Sequence, residues 1–287
     1  MVFIRTKKIG KYRYKYLVKT VYKNRKPKQE VIKYMGKEDL TKIKPNLSKE
    51  DIIKLDKIKD NFLSEKKRIP RLVFDKNLKN FLVKYTYNTN AIEGSALTLR
   101  ETSLILQDKI APKGRSLTEI REAENHAKAF EFMYRYKGEL DKEFILKLHK
   151  ILMGDVNDEF AGKIRGFNVA ISGVVFKPPQ FEALSYELKN FFKWYSANKK
   201  KLPPFELASL VHLKFVTIHP FGDGNGRISR LLMNFILKNK EFPMVDIPYV
   251  DRQDYYESLE DCQINKIEKP FVDYLNKEYL KEYKEYS

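Results

Sequence analysis

The stretch His219-Pro220-Phe221-Gly222-Asp223-Gly224-Asn225-Gly226-Arg227-Ile228-Ser229-Arg230 decides how the chain is read. Apolar residues at helical spacing run through 204–218, and a second helical pattern runs through 225–238. Between them, three glycines alternate with Asp223 and Asn225, so the backbone can curl and aim successive N–H groups into one concavity. That concavity would lie at a helix N-terminus, where unpaired donors and the positive dipole end favour an anion. Arg227 and Arg230, three residues apart, share one face near that end. Asp223 sets a carboxylate beside the anion site, which makes sense if a divalent cation bridges it to phosphate oxygens. His219 supplies an imidazole at the rim, available as a general base. Rival phosphate loops do not fit: GxxxxGK[ST] is absent, and an arginine stands where GxGxxG needs its last glycine. The plain alternative is an interhelical loop with a solvent-facing arginine pair, and nine specified positions together argue against it.

The surrounding chain reads as mainly helical. Helical spacing covers 49–67, capped by Ser48, then 75–90, 99–108, 116–137, 141–153, 181–199, 252–263 and 270–283. Residues 162–179 break the pattern with Gly162, Gly166, Gly173, two prolines and a β-rich run over 167–176, which predicts a hairpin between helices. At the N-terminus, Tyr12, Tyr14, Tyr16 and Val18 alternate with Arg13, Lys15 and Lys19, the period of a strand. With 2–6 and 29–34, and a turn at Asn24-Arg25-Lys26-Pro27, this predicts a small antiparallel sheet. The expected organisation is a basic β-rich region at 1–47, a linker and helical segment at 48–110, and a catalytic core at 111–287.

Composition bounds the function. With 43% hydrophobic and 13% aromatic residues in 287, the chain can bury a core and is not disordered. No run approaches the roughly 18 uncharged apolar residues of a membrane span. The first residues lack a signal-peptide pattern, and the single Cys262 can form neither an internal disulfide nor a thiolate zinc site. A cytoplasmic home is expected. The net charge of +18 is concentrated: residues 1–44 hold 15 Lys and Arg against Glu30, Glu38 and Asp39. Such a head reads first as a half-buried charged sheet, and otherwise as a surface for nucleic acid or an acidic target. His126, His149 and His212 read as structural, Trp194 as core, and Cys262 as a small buried residue.

The segment 219–230 resembles the Fic family motif HxFx[D/E]GNGRxxR at every specified position, and the helices over 70–283 are similar to that family's helical core. The resemblance implies a mainly α fold, an all-helical core with a β-hairpin flap, preceded here by the small sheet. It implies a nucleotidyltransferase that moves AMP from ATP to a Ser, Thr or Tyr hydroxyl of a target protein and of itself, releasing pyrophosphate. In that scheme His219 is the base, and Asp223 holds Mg²⁺ or Mn²⁺. Backbone amides of Gly224, Asn225 and Gly226 line an anion hole, and Arg227 and Arg230 meet the β- and γ-phosphates. Gly226 favours AMP transfer over the kinase-like branch; a Fic enzyme moving another phosphate-linked group is the nearest alternative. A nucleic-acid-binding regulator and a non-catalytic scaffold are more distant ones.

Thr89-Asn90-Ala91-Ile92-Glu93-Gly94 resembles the family's inhibitory pattern [S/T]xxxE[G/N], in the class with an N-terminal inhibitory helix. It implies that Glu93 pairs with Arg230 and restrains transfer, or orients a water for deAMPylation. The family likeness also places flap residues Ser172, Gly173, Val174 and Val175 near the nucleotide, and Tyr255, Tyr256 and Gln263 near adenine. Members of this kind often form homodimers.

Overall fold

The computed structural model describes residues 2–9, 12–23, 26–38, 46–171 and 173–287. Three antiparallel strands, β1 (Val2–Ile9), β2 (Tyr12–Lys23) and β3 (Lys26–Glu38), pair in that order. Asn24 and Arg25 of the expected turn lie outside the described residues, and Lys26 and Pro27 already belong to β3. Pro27 is tolerated there because β3 is an edge strand. The strand β1 lies against the short 3-10 turn Phe181–Ala183.

The helices are α1 (Lys49–Arg68), α2 (Arg71–Ile92), α3 (Leu99–Ser103), α4 (Leu117–Arg135), α5 (Lys142–Met153), α6 (Leu184–Asn198), α7 (Pro204–Ile218), α8 (Asn225–Asn239), α9 (Arg252–Asn265) and α10 (Lys269–Glu282). Their starts are encoded locally. The Ser48 hydroxyl accepts the Asp51 N–H at 3.0 Å, Ser116 and Glu119 form a capping box, and Asp141 accepts the Phe144 N–H at 2.8 Å. The pattern over 99–108 splits into α3 and a π-helical turn, Leu104–Asp108.

Helix α7 is predominantly apolar and buried along nearly all of its length, with Glu206, Ser209 and His212 as buried polar exceptions. It packs chiefly on α8, and one continuous core joins both to α1, α2, α4, α5, α9 and α10. Leu17 and Val18 of the sheet are buried but belong to neither apolar cluster of the body.

The segment 162–179 departs from expectation. No strand forms among its described residues, so the flap is an irregular loop with a turn at Gly173 rather than a β-hairpin. Side chains occupy the backbone groups that a ladder would use. The Arg165 guanidinium donates to the carbonyls of Phe167 and Pro179, both at 2.7 Å, and the Glu260 carboxylate accepts the Val175 N–H at 2.7 Å.

The core holds three neutral imidazoles. Burial pushes His126 down to about 3, helped by Arg227 and Arg230; it pushes His149 down to about 4 and His212 well below the usual range. The unfolded chain therefore binds more protons below about pH 6.5, so this contribution is full above that pH and is lost as pH falls. Burial raises Asp246 to about 6 and also raises Glu282, which works in the opposite sense at lower pH. The thermal midpoint should hold steady above about pH 7.5 and drop by several degrees by about pH 6. A calorimetric midpoint unchanged across that interval would contradict the burial of three uncharged histidines.

Candidate active site

Helix α7 ends at His219, whose φ of +52° is left-handed and turns the chain out toward α8. The ring's Nδ1 lies 3.3 Å from the Val216 carbonyl. A carbonyl oxygen only accepts, so Nδ1 carries the proton and Nε2 keeps its lone pair. Burial, with Arg165 nearby, holds the imidazole below its ordinary value and therefore neutral at pH 7.

The turn that follows is braced from within. The Asn225 amide closes on Phe221 in both directions, accepting its N–H and donating to its carbonyl, each at 2.9 Å. Asn225 thus shapes the loop with its side chain. Gly224 starts α8 at φ +76°, a conformation that suits glycine, and a Cβ there would stand 3.1 Å from Met153 Sδ. The Gly224 N–H donates to Asp223 Oδ1 at 2.5 Å, so this amide is engaged, contrary to its expected place in an open anion hole. His149 supports the same turn, stacked on Phe221 at 3.6 Å. Its Nε2 is 3.0 Å from the Asp223 carbonyl, and its Nδ1 accepts the Gly162 N–H at 2.9 Å.

The two arginines are buried and paired. Arg227 donates to Glu122 of α4 at 2.9 Å and lies 3.5 Å from both Asp223 oxygens. Arg230 is 1% exposed. Its Nε donates to Thr89 Oγ1 at 2.6 Å, Nη2 to the Thr89 carbonyl at 3.1 Å and to Glu93 Oε1 at 2.6 Å, and Nη1 to the Tyr255 hydroxyl at 3.2 Å. Thr89 and Glu93, four residues apart at the end of α2, thus lie on one side and both meet Arg230. Gly94 follows directly, at φ +101°. The Glu93 carboxylate also covers the first turn of α8: a Cβ on Gly226 would collide with Oε1. A negative group therefore already sits where the helix end and Arg230 favour one.

These residues open on a cleft of about 630 Å³ lined by His219, Glu93, Gly226, Arg230, Tyr255, Tyr256 and Gln263, with Ile171, Gly173 and Val174 from the flap. Tyr256 donates to the Ile92 carbonyl at 2.8 Å, and Gln263 to Thr217 at 3.3 Å. Tyr255 is buried and faces Arg230 and His212 with its hydroxyl. Val175 is not part of the lining: its side chain is exposed, and only its N–H is held. Ser172 lies outside the described residues. Asp223 has a side chain 51% exposed, and among the described residues no three metal-ligating side chains gather. A single carboxylate suits a cation whose remaining ligands are phosphate and water oxygens.

Several residues that shape the site gave no sequence signal. Arg165 donates to the His219 carbonyl at 2.8 Å and receives both ends of the flap, yet it reads as one cation between glycines. Glu122, Glu260 and the His212–Ser229 contact at 3.3 Å depend on helices meeting from distant parts of the chain.

Residues 139–237 match the Fic/DOC family. The protein adenylyltransferase Fic of Nematostella vectensis is 35% identical over 240 residues, covering 81% of this chain, which spans only about half (54%) of that relative. Fic-1 of Caenorhabditis elegans aligns with a TM-score of 0.70 at 28% identity, over 83% of this chain and 71% of that one. A Fic-domain signalling protein of Bacteroides thetaiotaomicron aligns with a TM-score of 0.73 at 26% identity, over 82% and 95%. Motif, fold and relatives agree: the chain carries a Fic domain and belongs to the Fic/DOC family.

Proposed function

We propose that the chain is a protein adenylyltransferase that transfers AMP from ATP to a hydroxyl of a target protein, restrained by Glu93. One observation carries the reading: the Glu93 carboxylate bonds Arg230 and covers the N-terminal turn of α8, as a phosphate group would. The names of the relatives support the reaction class.

In this mechanism the target hydroxyl enters beneath the flap, beside His219. The hydroxyl oxygen bonds to the α-phosphorus while the bond to the bridging α,β oxygen breaks, and pyrophosphate leaves. His219 Nε2 takes the hydroxyl proton, its orientation fixed by the Nδ1–Val216 contact. The α8 amide end and the two arginines hold the phosphates in place, so the protein contributes mainly position and charge. Magnesium held by Asp223 would neutralise charge on the phosphates. The flap, whose Ile171, Gly173 and Val174 line the cleft, would border the path of an extended target segment. Facing the same cleft, Glu93 can also orient a water for removal of AMP.

Glu93 restrains transfer because Arg230 cannot hold both its carboxylate and a phosphate in the same geometry. Glu93→Gly should raise self-labelling from α-labelled ATP by at least about tenfold, about 1.4 kcal/mol of barrier. A variant no faster than the parent removes the brake from the scheme. His219→Ala, placed in the Glu93→Gly background, should still bind nucleotide but lose labelling by roughly 10²-fold or more. Undiminished labelling would exclude His219 as base. Because burial lowers the His219 value, the acid limb of kcat/KM in Glu93→Gly should turn over below about pH 6.5. A limb centred above that pH would contradict a buried, neutral base.

A further inference from the structure

The register of the N-terminal sheet sorts its residues by chemistry. On β2, Tyr14, Tyr16 and Tyr22 share one face by parity. The pairing puts Arg5 opposite Tyr16 and Lys7 opposite Tyr14. On the other side of β2, Tyr34 stands opposite Tyr16, and Lys37 holds the position opposite Tyr14. Tyr34 and Lys37 are three apart and would point to opposite faces of a regular strand. Register shifts in the β2–β3 pairing bring both to rungs of one face. Tyr12 holds a register position of that face too, so it collects all five tyrosines of the sheet. Both acidic residues, Glu30 opposite Lys19 and Glu38 opposite Arg13, hold rungs of the other face. There Lys19 and Glu30 pair at 3.5 Å.

The tyrosine face is open at its margins, half-buried at Tyr14 and Tyr16, and closed at Val18 between them and Tyr22. Tyr34 is 50% and Tyr22 74% exposed, and Arg5 and Lys7 are exposed. Tyr34 lies 5.4 Å from Tyr16 and 6.4 Å from Tyr14, with the rings tilted rather than stacked. A surface that needed only solubility would scatter its acids and would not gather aromatic rings.

We propose that this face binds single-stranded nucleic acid, with bases on the tyrosine rings and phosphates on Arg5 and Lys7. Both faces carry cations, but only this one sets aromatic rings beside them, which suits a polyanion whose repeating unit carries a flat face. An acidic peptide would use the cations but gives the row of rings no partner. The sheet is formed by 2–38, apart from the cleft, so binding does not depend on the transfer reaction.

The test is fluorescence anisotropy of the whole chain with a short labelled oligouridylate and the matching oligodeoxythymidylate. Binding should weaken roughly tenfold or more between about 50 and about 200 mM salt, each neutralised phosphate adding about 0.7 to the log–log slope. Tyr34→Ala should weaken binding roughly 5- to 100-fold, and Tyr34→Phe should stay within about twofold of the parent. Tyr22→Ala, at a position too exposed to hold the sheet together, should also weaken it, which separates stacking from misfolding. Arg5→Gln should make the salt slope shallower by about 0.7. The relative strength of the two probes reports whether the 2′-hydroxyl is read. The proposal fails if neither probe binds with salt dependence at tens of micromolar. It fails equally if neither tyrosine-to-alanine variant weakens binding, or if polyglutamate binds more tightly with the same tyrosine dependence.

Discussion

A guanidinium sealed from water in a helical core loses hydration worth several kcal/mol, and it persists only where hydrogen-bond acceptors replace that water. Arg230 is in that position, and its acceptors come from two other helices: Thr89 and Glu93 from the end of α2, and Tyr255 from α9. This one side chain therefore ties α8 to both. It is also the group best placed to meet a phosphate. The same demand for an anionic partner accounts for the resting arrangement, in which a carboxylate satisfies Arg230, and underlies the restraint proposed above.

The attachment of α2 limits how the proposed restraint could be relieved. Its last two turns are buried, Asn88 donates to Asp246 at 2.5 Å and accepts the Tyr249 N–H at 3.0 Å, and Lys84 reaches Glu282 at 3.3 Å. Tyr256 holds the Ile92 carbonyl. Glu93 is the first residue past this anchored stretch. Exchanging its carboxylate for a phosphate requires only a side-chain rotation, whereas lifting the helix away would leave Asp246 and the Arg230 contacts at Thr89 without partners.

Much of this was legible before any coordinates. The helices announce themselves through periodicity and through Ser48, Ser116 and Asp141 at their starts, and the residues from 219 to 230 specify a turn whose chemistry is local. The pairing of Glu93 with Arg230 came from the family's inhibitory pattern rather than from spacing, and the part Thr89 plays in it emerges only from the fold. What could not be read is what distance in sequence hides. Glu122 on Arg227, Arg165 on His219 and Glu260 on the flap are each single charged residues with no pattern around them. The flap was misjudged for a related reason: glycine and β-branched residues favour extended backbone, but whether two extended segments pair depends on what else competes for their N–H and carbonyl groups.

Arg165 fastens the loop at both feet and grips the backbone of His219 with the same planar group. Whatever happens between those feet is mechanically insulated from the reacting centre. Changes in the length or sequence of the arch would therefore meet this shared anchor before they reached the imidazole.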